Sequence, residues 1–169
     1  MSAAAPPPAP PGRIAIASHA ELRVAVLGLL AQARREVCAA HRTLALLGLG
    51  ELQFVEALRT LLARGPRAQV RLLADEGSWL EREAPRLRAL QRDYGHALHL
   101  RLSAEAEEIG DATVLIVDGR SYLQLAPTAY PRGVLALDAP AEARAVMQDF
   151  ERRWEAAGSD LPSQPLGLG

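Results

Sequence analysis

The sequence contains no lysine, and all 19 of its positively charged side chains are arginine. A lysine Schiff base, a phosphate-loop lysine and a lysine general base are therefore excluded, because the amine whose pKa shifts on burial is missing. Arginine stays charged and serves to clamp or to pair. The excess of Ala, Arg and Leu that goes with this absence is the composition of a GC-rich genome. Cysteine is nearly absent as well. Cys38 alone cannot close an internal disulfide, and its place in the apolar run from Val37 to Ala40 reads as a reduced, buried thiol. Aromatic residues are only 4% of the chain, so the core has to be built from Leu, Val, Ile and Ala. No run approaches the ~18 apolar residues of a membrane helix, and the N-terminus has neither the basic start nor the apolar stretch of a signal peptide. A cytoplasmic protein without membrane contact is the expectation.

What is present fits one globular domain. The 169 residues are 49% hydrophobic and 23% charged, the balance of an ordinary folded chain. Residues 1–12 are rich in Ala and Pro, cannot bury apolar surface and read as disordered; residues 158–169 read as a flexible tail. The domain is expected between them, at 13–157. Net charge is −1, but nine Arg against five acids fall within residues 59–101, and five Arg against eleven acids within 103–160.

Arg13 to Ser18 is a short strand-like run. Ser18 then opens a helix with Glu21 at capping-box spacing and an apolar stripe of Leu22, Val26, Leu29, Leu30 and Ala33. The run from Val37 to Leu47 is apolar enough to hold a buried strand before the breaks at Gly48 and Gly50. A helix over about Glu51 to Arg64 buries Phe54, Val55, Leu58, Leu61 and Leu62, and Gly65-Pro66 stops it. Ala68 to Asp75 is the next strand. A helical stretch from Trp79 to Tyr94 follows, its longer piece beginning at Pro85. Leu98, Leu100 and Leu102 alternate with His99 and Arg101 as a half-buried strand does. Thr113 to Val117 reads as a central strand, Asp118-Gly119 as a hairpin turn into Ser121–Leu125, and Gly133–Leu137 as a last strand. A helix capped by Asp138 closes the chain and turns Val146, Phe150 and Trp154 inward. This order gives an α/β fold with a mixed β-sheet flanked by helices.

The same order resembles one repeat of the phospholipase D superfamily. The segments that carry the resemblance are "LLAQARREV", "FVEALRTLLARGPRAQVRLLADE" and "DATVLIVDGR" with its hairpin and closing helix. It is similar in particular to a bacterial family of single-repeat domains of unknown function, some of whose members are associated with acetyltransferases of the GNAT type. The superfamily's signature is His-x-Lys-x-x-x-x-Asp, in which the histidine attacks phosphorus and the lysine holds the phosphate oxygens. Aligned on the apolar strand, its three positions hold Asp111, Thr113 and Asp118. Only the last matches, and Glu105, Glu107 and Glu108 make the preceding loop acidic. The Gly-Ser-x-Asn element that usually follows is replaced by "YLQLAPTAY". The resemblance thus implies a degenerate motif, a chain that is no longer an enzyme, and a binding or assembly module without cofactor, linked to a GNAT-type acetyltransferase. Because such repeats meet in pairs across the motif-bearing face, a homodimer is the first partner to expect. The alternatives are a metal-dependent phosphodiesterase or nuclease built on these acids, and a nucleic-acid-binding domain. A receiver-type domain, whose aspartate cluster Asp75, Asp111 and Asp118 imitate, lacks its lysine.

Other candidates are weaker. Arg82, Arg86, Arg88 and Arg92 stand on one predicted helix as a ligand-binding surface, but interleaved acids and scarce aromatics argue against nucleic acid. His96 and His99 fall on opposite faces of a strand, so no metal site is expected. Ser103 and Ser121 lack a histidine partner.

Overall fold

Ser18 does cap the first helix: its hydroxyl accepts the Glu21 N–H at 3.1 Å, while the Glu21 carboxylate reaches back to the N–H of Ala17 at 2.7 Å, one residue earlier than the usual box. This clasp joins strand β1 (Arg13–Ile16) to helix α1 (His19–Gln32) in a computed structural model that describes residues 12–42, 44–75, 77–103 and 113–162. The other elements are β2 (Glu36–Ala40), α2 (Leu52–Leu62), β3 (Gln69–Ala74), α3 (Gly77–Glu83), α4 (Pro85–Asp93), β4 (Leu98–Leu102), β5 (Thr113–Val117), β6 (Ser121–Leu125), β7 (Gly133–Ala136) and α5 (Pro140–Ala156).

The seven strands form one mixed sheet in the order β1-β7-β6-β5-β2-β3-β4. β2, β3 and β4 are parallel, as helical crossovers require. β5 runs antiparallel to β2 and forms a hairpin with β6. The hairpin turn places Asp118 and Gly119 at φ 55° and 63°. Asp-Gly suits that left-handed pair because one residue tolerates it and the other has no Cβ.

Alternation along the strands divides the core into two layers. Val37, Ala39, Val70, Leu72, Leu115 and Val117 face α1–α4, where α2 contributes Phe54, Val55, Leu58, Leu61 and Leu62. Each such burial removes a side chain worth about 1.5–3 kcal/mol of transfer from water. Cys38, Ala40, Leu73, Val114 and Ile116 face α5, whose Phe150 and Trp154 rings stack with centroids 5.8 Å apart. β5 is buried along its whole length, as a strand covered on both faces must be.

Several boundaries differ from the sequence reading. The apolar run from Val37 to Leu47 holds its strand only at its start: β2 ends at Ala40, and Ala45–Leu47 forms a 3₁₀ turn between left-handed Leu44 and Gly48. The third helical stretch, by contrast, breaks where Pro85 was expected to begin its longer piece: α3 ends before Ala84, and Pro85, which cannot continue it, starts α4. Asp138 does not cap α5. Its backbone is left-handed, its carboxylate takes the Arg120 guanidinium, and Ala139 is the N-cap ahead of Pro140. The segment read as a tail from residue 158 is tied down over its first residues: Leu161 N–H donates to Leu100 O at 2.6 Å, and Asp160 meets His99 and Arg101 at 2.6 and 2.7 Å. Among the described residues no helix is long and apolar enough to cross a membrane.

Candidate functional site

The carboxyl ends of β2 and β3 and the start of β5 meet at one end of the sheet, since Ala40 pairs with both Leu73 and Val114. β2 and β5 are also where the parallel half of the sheet gives way to the antiparallel half. In open α/β sheets, ligands sit outside the carboxyl ends of the strands.

Backbone bonds carry the pairing of β2 and β3 one step past the strands: His41 N–H donates to Leu73 O at 3.1 Å, and Asp75 N–H to Arg42 O at 2.8 Å. His41 and Arg42 are thereby fixed on the rim. A cavity of about 330 Å³ opens there, lined by His41, Arg42, Leu46, Thr113, Ala126, Pro127, Thr128 and Ala129. Thr113 is 1% exposed and forms the floor. Arg42 is exposed and His41 half-buried. The His41 ring is held by its Nδ1, which accepts the Leu44 N–H at 3.3 Å. Leu44 can donate there because its backbone adopts φ 68°, an uncommon conformation for a leucine. With Nδ1 accepting, the ring proton of a neutral His41 lies on Nε2. On the far wall the Thr128 hydroxyl donates to Tyr130 O at 2.6 Å, which folds residues 126–130 into the rim. A histidine, an arginine and the buried Thr113 line this cavity, and His41 and Arg42 each have a further interaction of their own.

The three aligned motif positions do not converge. Thr113 lines the cavity, whereas Asp118 lies beyond the other end of β5, about 17 Å away at the usual rise per residue. At that end the Asp118 carboxylate accepts the backbone N–H groups of Arg34, Arg35 and Glu36 at 3.0, 2.8 and 2.9 Å. It clasps the start of β2 to the hairpin. Asp111, together with Glu105, Glu107 and Glu108, lies outside the described residues.

The four arginines expected on one helix stand on two. Arg82, on α3, donates to Ser78 O, and Arg88 is committed to Gln91, Glu81 and Pro162 O. Arg86 and Arg92 are exposed on α4. Of the histidine pair, His96 is exposed and His99 is held by Asp160. Trp79 is a core residue against Gly50. Ser121 accepts the Asp138 N–H, and Ser103 N–H donates to Ala74 O.

In the sequence His41 stands alone among the histidines and Arg42 belongs to no motif, so neither by itself points to a site there. Their signal was the polar pair itself, directly after a buried strand.

A second charged cluster is structural. Arg71, 15% exposed, reaches Glu36 at 2.8 Å and grips Glu151 with two bonds of 2.5 and 2.8 Å, against Phe150 and Trp154. The Glu151 bonds raise the Arg71 pKa and keep it charged, and Arg71 in turn pulls the Glu151 carboxyl below its ordinary value. Beneath this pair, burial pushes the Cys38 thiol pKa up.

Solved structures of similar fold are distant in sequence. The archaeal chromatin protein TrmBL2, whose structure shows a novel mode of DNA binding, superposes with a TM-score of 0.64 at 15% identity; the match covers 86% of this chain and 53% of TrmBL2. This chain thus spans about half of TrmBL2. Nuc from Salmonella typhimurium, a phospholipase D family member, gives 0.61 at 19% identity over 88% of this chain and 98% of Nuc. NucT from Helicobacter pylori gives 0.57 at 13% identity over 85% and 96%. No curated protein matches the chain. One expectation is corrected by these structures. The missing lysine was read as meaning that the chain is not an enzyme, but its fold is that of Nuc, a member of a family named for an enzyme, and nothing in the fold marks a loss of activity. Residues 18–164 match the family described as Domain of unknown function (DUF7931), so the chain belongs to that family and carries the fold of the phospholipase D superfamily.

Proposed function

We propose that this chain recognises a phosphodiester, in the first place the backbone of a nucleic acid, in the cavity formed by His41, Arg42 and Thr113. The observation that carries the reading is the position of these three donors at one strand end, with Arg42 exposed and Thr113 buried. A phosphate oxygen accepts from all three kinds of group, and a guanidinium–phosphate bond is charge-assisted. TrmBL2, a chromatin protein of similar fold, supports nucleic acid as the ligand class. The cavity replaces the exposed arginines of α4 as the first place to look.

The test is titration of a labelled single-stranded oligonucleotide with the purified chain at several salt concentrations, with a gel read in parallel for cleavage of the strand. Binding should weaken with salt, and Arg42→Ala should weaken it about tenfold or more and reduce the salt slope by about one. Arg86→Ala should leave both nearly unchanged. No retention at low salt, or an Arg42→Ala protein that binds like the parent, would refute the proposal.

A further inference from the structure

An outer strand presents a row of unpaired peptide groups unless something covers it. The outer strands of this sheet are β1 and β4. The chain covers β4 itself: Leu161 bonds to Leu100, Asp160 holds His99 and Arg101, and Gln91 Nε2 donates to Leu161 O at 3.0 Å. β1 has no such strap among the described residues, and it pairs only with β7.

Which groups face outward follows from the register. Leu137 N–H donates to Gly12 O at 2.6 Å, and in an antiparallel ladder the bonded positions alternate. Gly12, Ile14 and Ile16 therefore bond to β7, while Arg13 and Ala15 turn their N–H and C=O groups to the open edge. Beside the edge, on the α1 face, lies an apolar groove of about 460 Å³ whose walls include Ile14, Ile16, Val24 and Leu135. Ile14 is 50% exposed and Val24 72%. Among the described residues, one sheet edge is strapped and the other has no cover beside its exposed apolar side chains.

We propose that the open edge of β1 docks a second copy of this chain, the two β1 strands pairing antiparallel about a two-fold axis at Ile14. The edge is self-complementary in this register. Arg13 of each copy faces Ala15 of the other as a bonded pair, giving four backbone hydrogen bonds, and the two Ile14 side chains oppose each other as a non-bonded pair, where side chains come closest. Charge permits it too. Each Arg13 guanidinium is already neutralised by Glu142 of its own chain and contacts the Tyr122 hydroxyl, so the two Arg13 side chains do not meet as unpaired like charges. Five of the six residues of Pro6–Pro11 lack the N–H that a ladder needs. This contact lies three strands away from β5 and is independent of the phosphodiester reading. It also differs from a dimer across the Thr113 end, which is what the superfamily resemblance implies.

Sedimentation equilibrium of the full chain tests it together with Ala15→Pro. Proline at position 15 removes only an outward N–H and leaves the β1–β7 bonds in place. The parent chain should be dimeric, and Ala15→Pro should dissociate at least about tenfold more readily with an unchanged far-UV CD spectrum. Independently, Ile14→Cys should oxidise to a covalent dimer. The opposed Cα atoms of a non-bonded pair lie about 4.5 Å apart, within disulfide reach, and Cys38 is fully buried. A parent chain that stays monomeric at high concentration overturns the proposal. So does a dimer that Ala15→Pro leaves intact and Ile14→Cys fails to cross-link, because its contact must then lie elsewhere.

Discussion

Replacing Asp118 should unfold the protein more readily without touching the cavity at the carboxyl ends of β2 and β3. The carboxylate accepts three backbone N–H groups at 2.8–3.0 Å and sits on a residue with φ 55°. Two contributions can be separated by substitution. Asp118→Gly keeps the left-handed backbone but removes the acceptor; hydrogen bonds to a charged group contribute about 1.5–3 kcal/mol singly and less than additively together, so a loss of about 2–3 kcal/mol is expected. Asp118→Ala adds the cost of a Cβ in the left-handed region, about 1 kcal/mol, for a total of roughly 3–4. Asp118→Asn keeps the conformation and one acceptor oxygen and should lose only about 1–2. Urea unfolding followed by the fluorescence of Trp79 and Trp154, both buried, resolves such steps. With a slope near 2 kcal/mol/M, the Ala variant should unfold at about 1.5–2 M less urea than the parent. The order Asn, Gly, Ala is the signature of a clasp. If instead all three variants kept the parent's midpoint and lost ligand binding, Asp118 would belong to the site and the reasoning would be refuted.

Two further outcomes follow from the face covered by α5. Arg71 lowers the Glu151 pKa in the folded state, so as pH falls the unfolded chain takes up this proton first; the stabilisation is present above the ordinary glutamate value near 4.3 and is lost as pH drops through the lower folded value. Urea midpoints measured from pH 6 to pH 3 should therefore fall for the parent, and less steeply for Glu151→Gln; equal slopes would count against the pair. Cys38 is wholly buried and burial raises its pKa, so DTNB should react with it about a thousandfold or more slowly in the native protein than in urea. Prompt reaction without denaturant would show that this core layer is open.

The two kinds of element were legible in the sequence to different degrees. Helices α1 and α2 announced themselves through apolar spacing and, for α1, through Ser18 and Glu21, because local periodicity and capping are local physics. Strand β5 and its Asp-Gly turn were legible for the same reason. Long-range partners were not. Asp138 has the residue type and position of a helix cap, yet the proximity of Arg120 across the hairpin redirects its carboxylate. Asp118 kept the last motif position but is used by the backbone of residues 34–36, more than 80 positions away in sequence. His41 and Arg42 became site residues only when the end of β2 was located, which depends on the 3₁₀ turn at Ala45–Leu47 and its left-handed flanks.

Whether the cavity at the carboxyl ends of β2 and β3 holds a phosphodiester is tested most directly by amide chemical-shift mapping of the isotope-labelled chain against a short single-stranded oligonucleotide. If it does, the largest perturbations fall on His41, Arg42, Thr113 and Ala126–Ala129. Perturbations confined to the exposed α4 surface around Arg86 and Arg92, or none at saturating oligonucleotide, would contradict it.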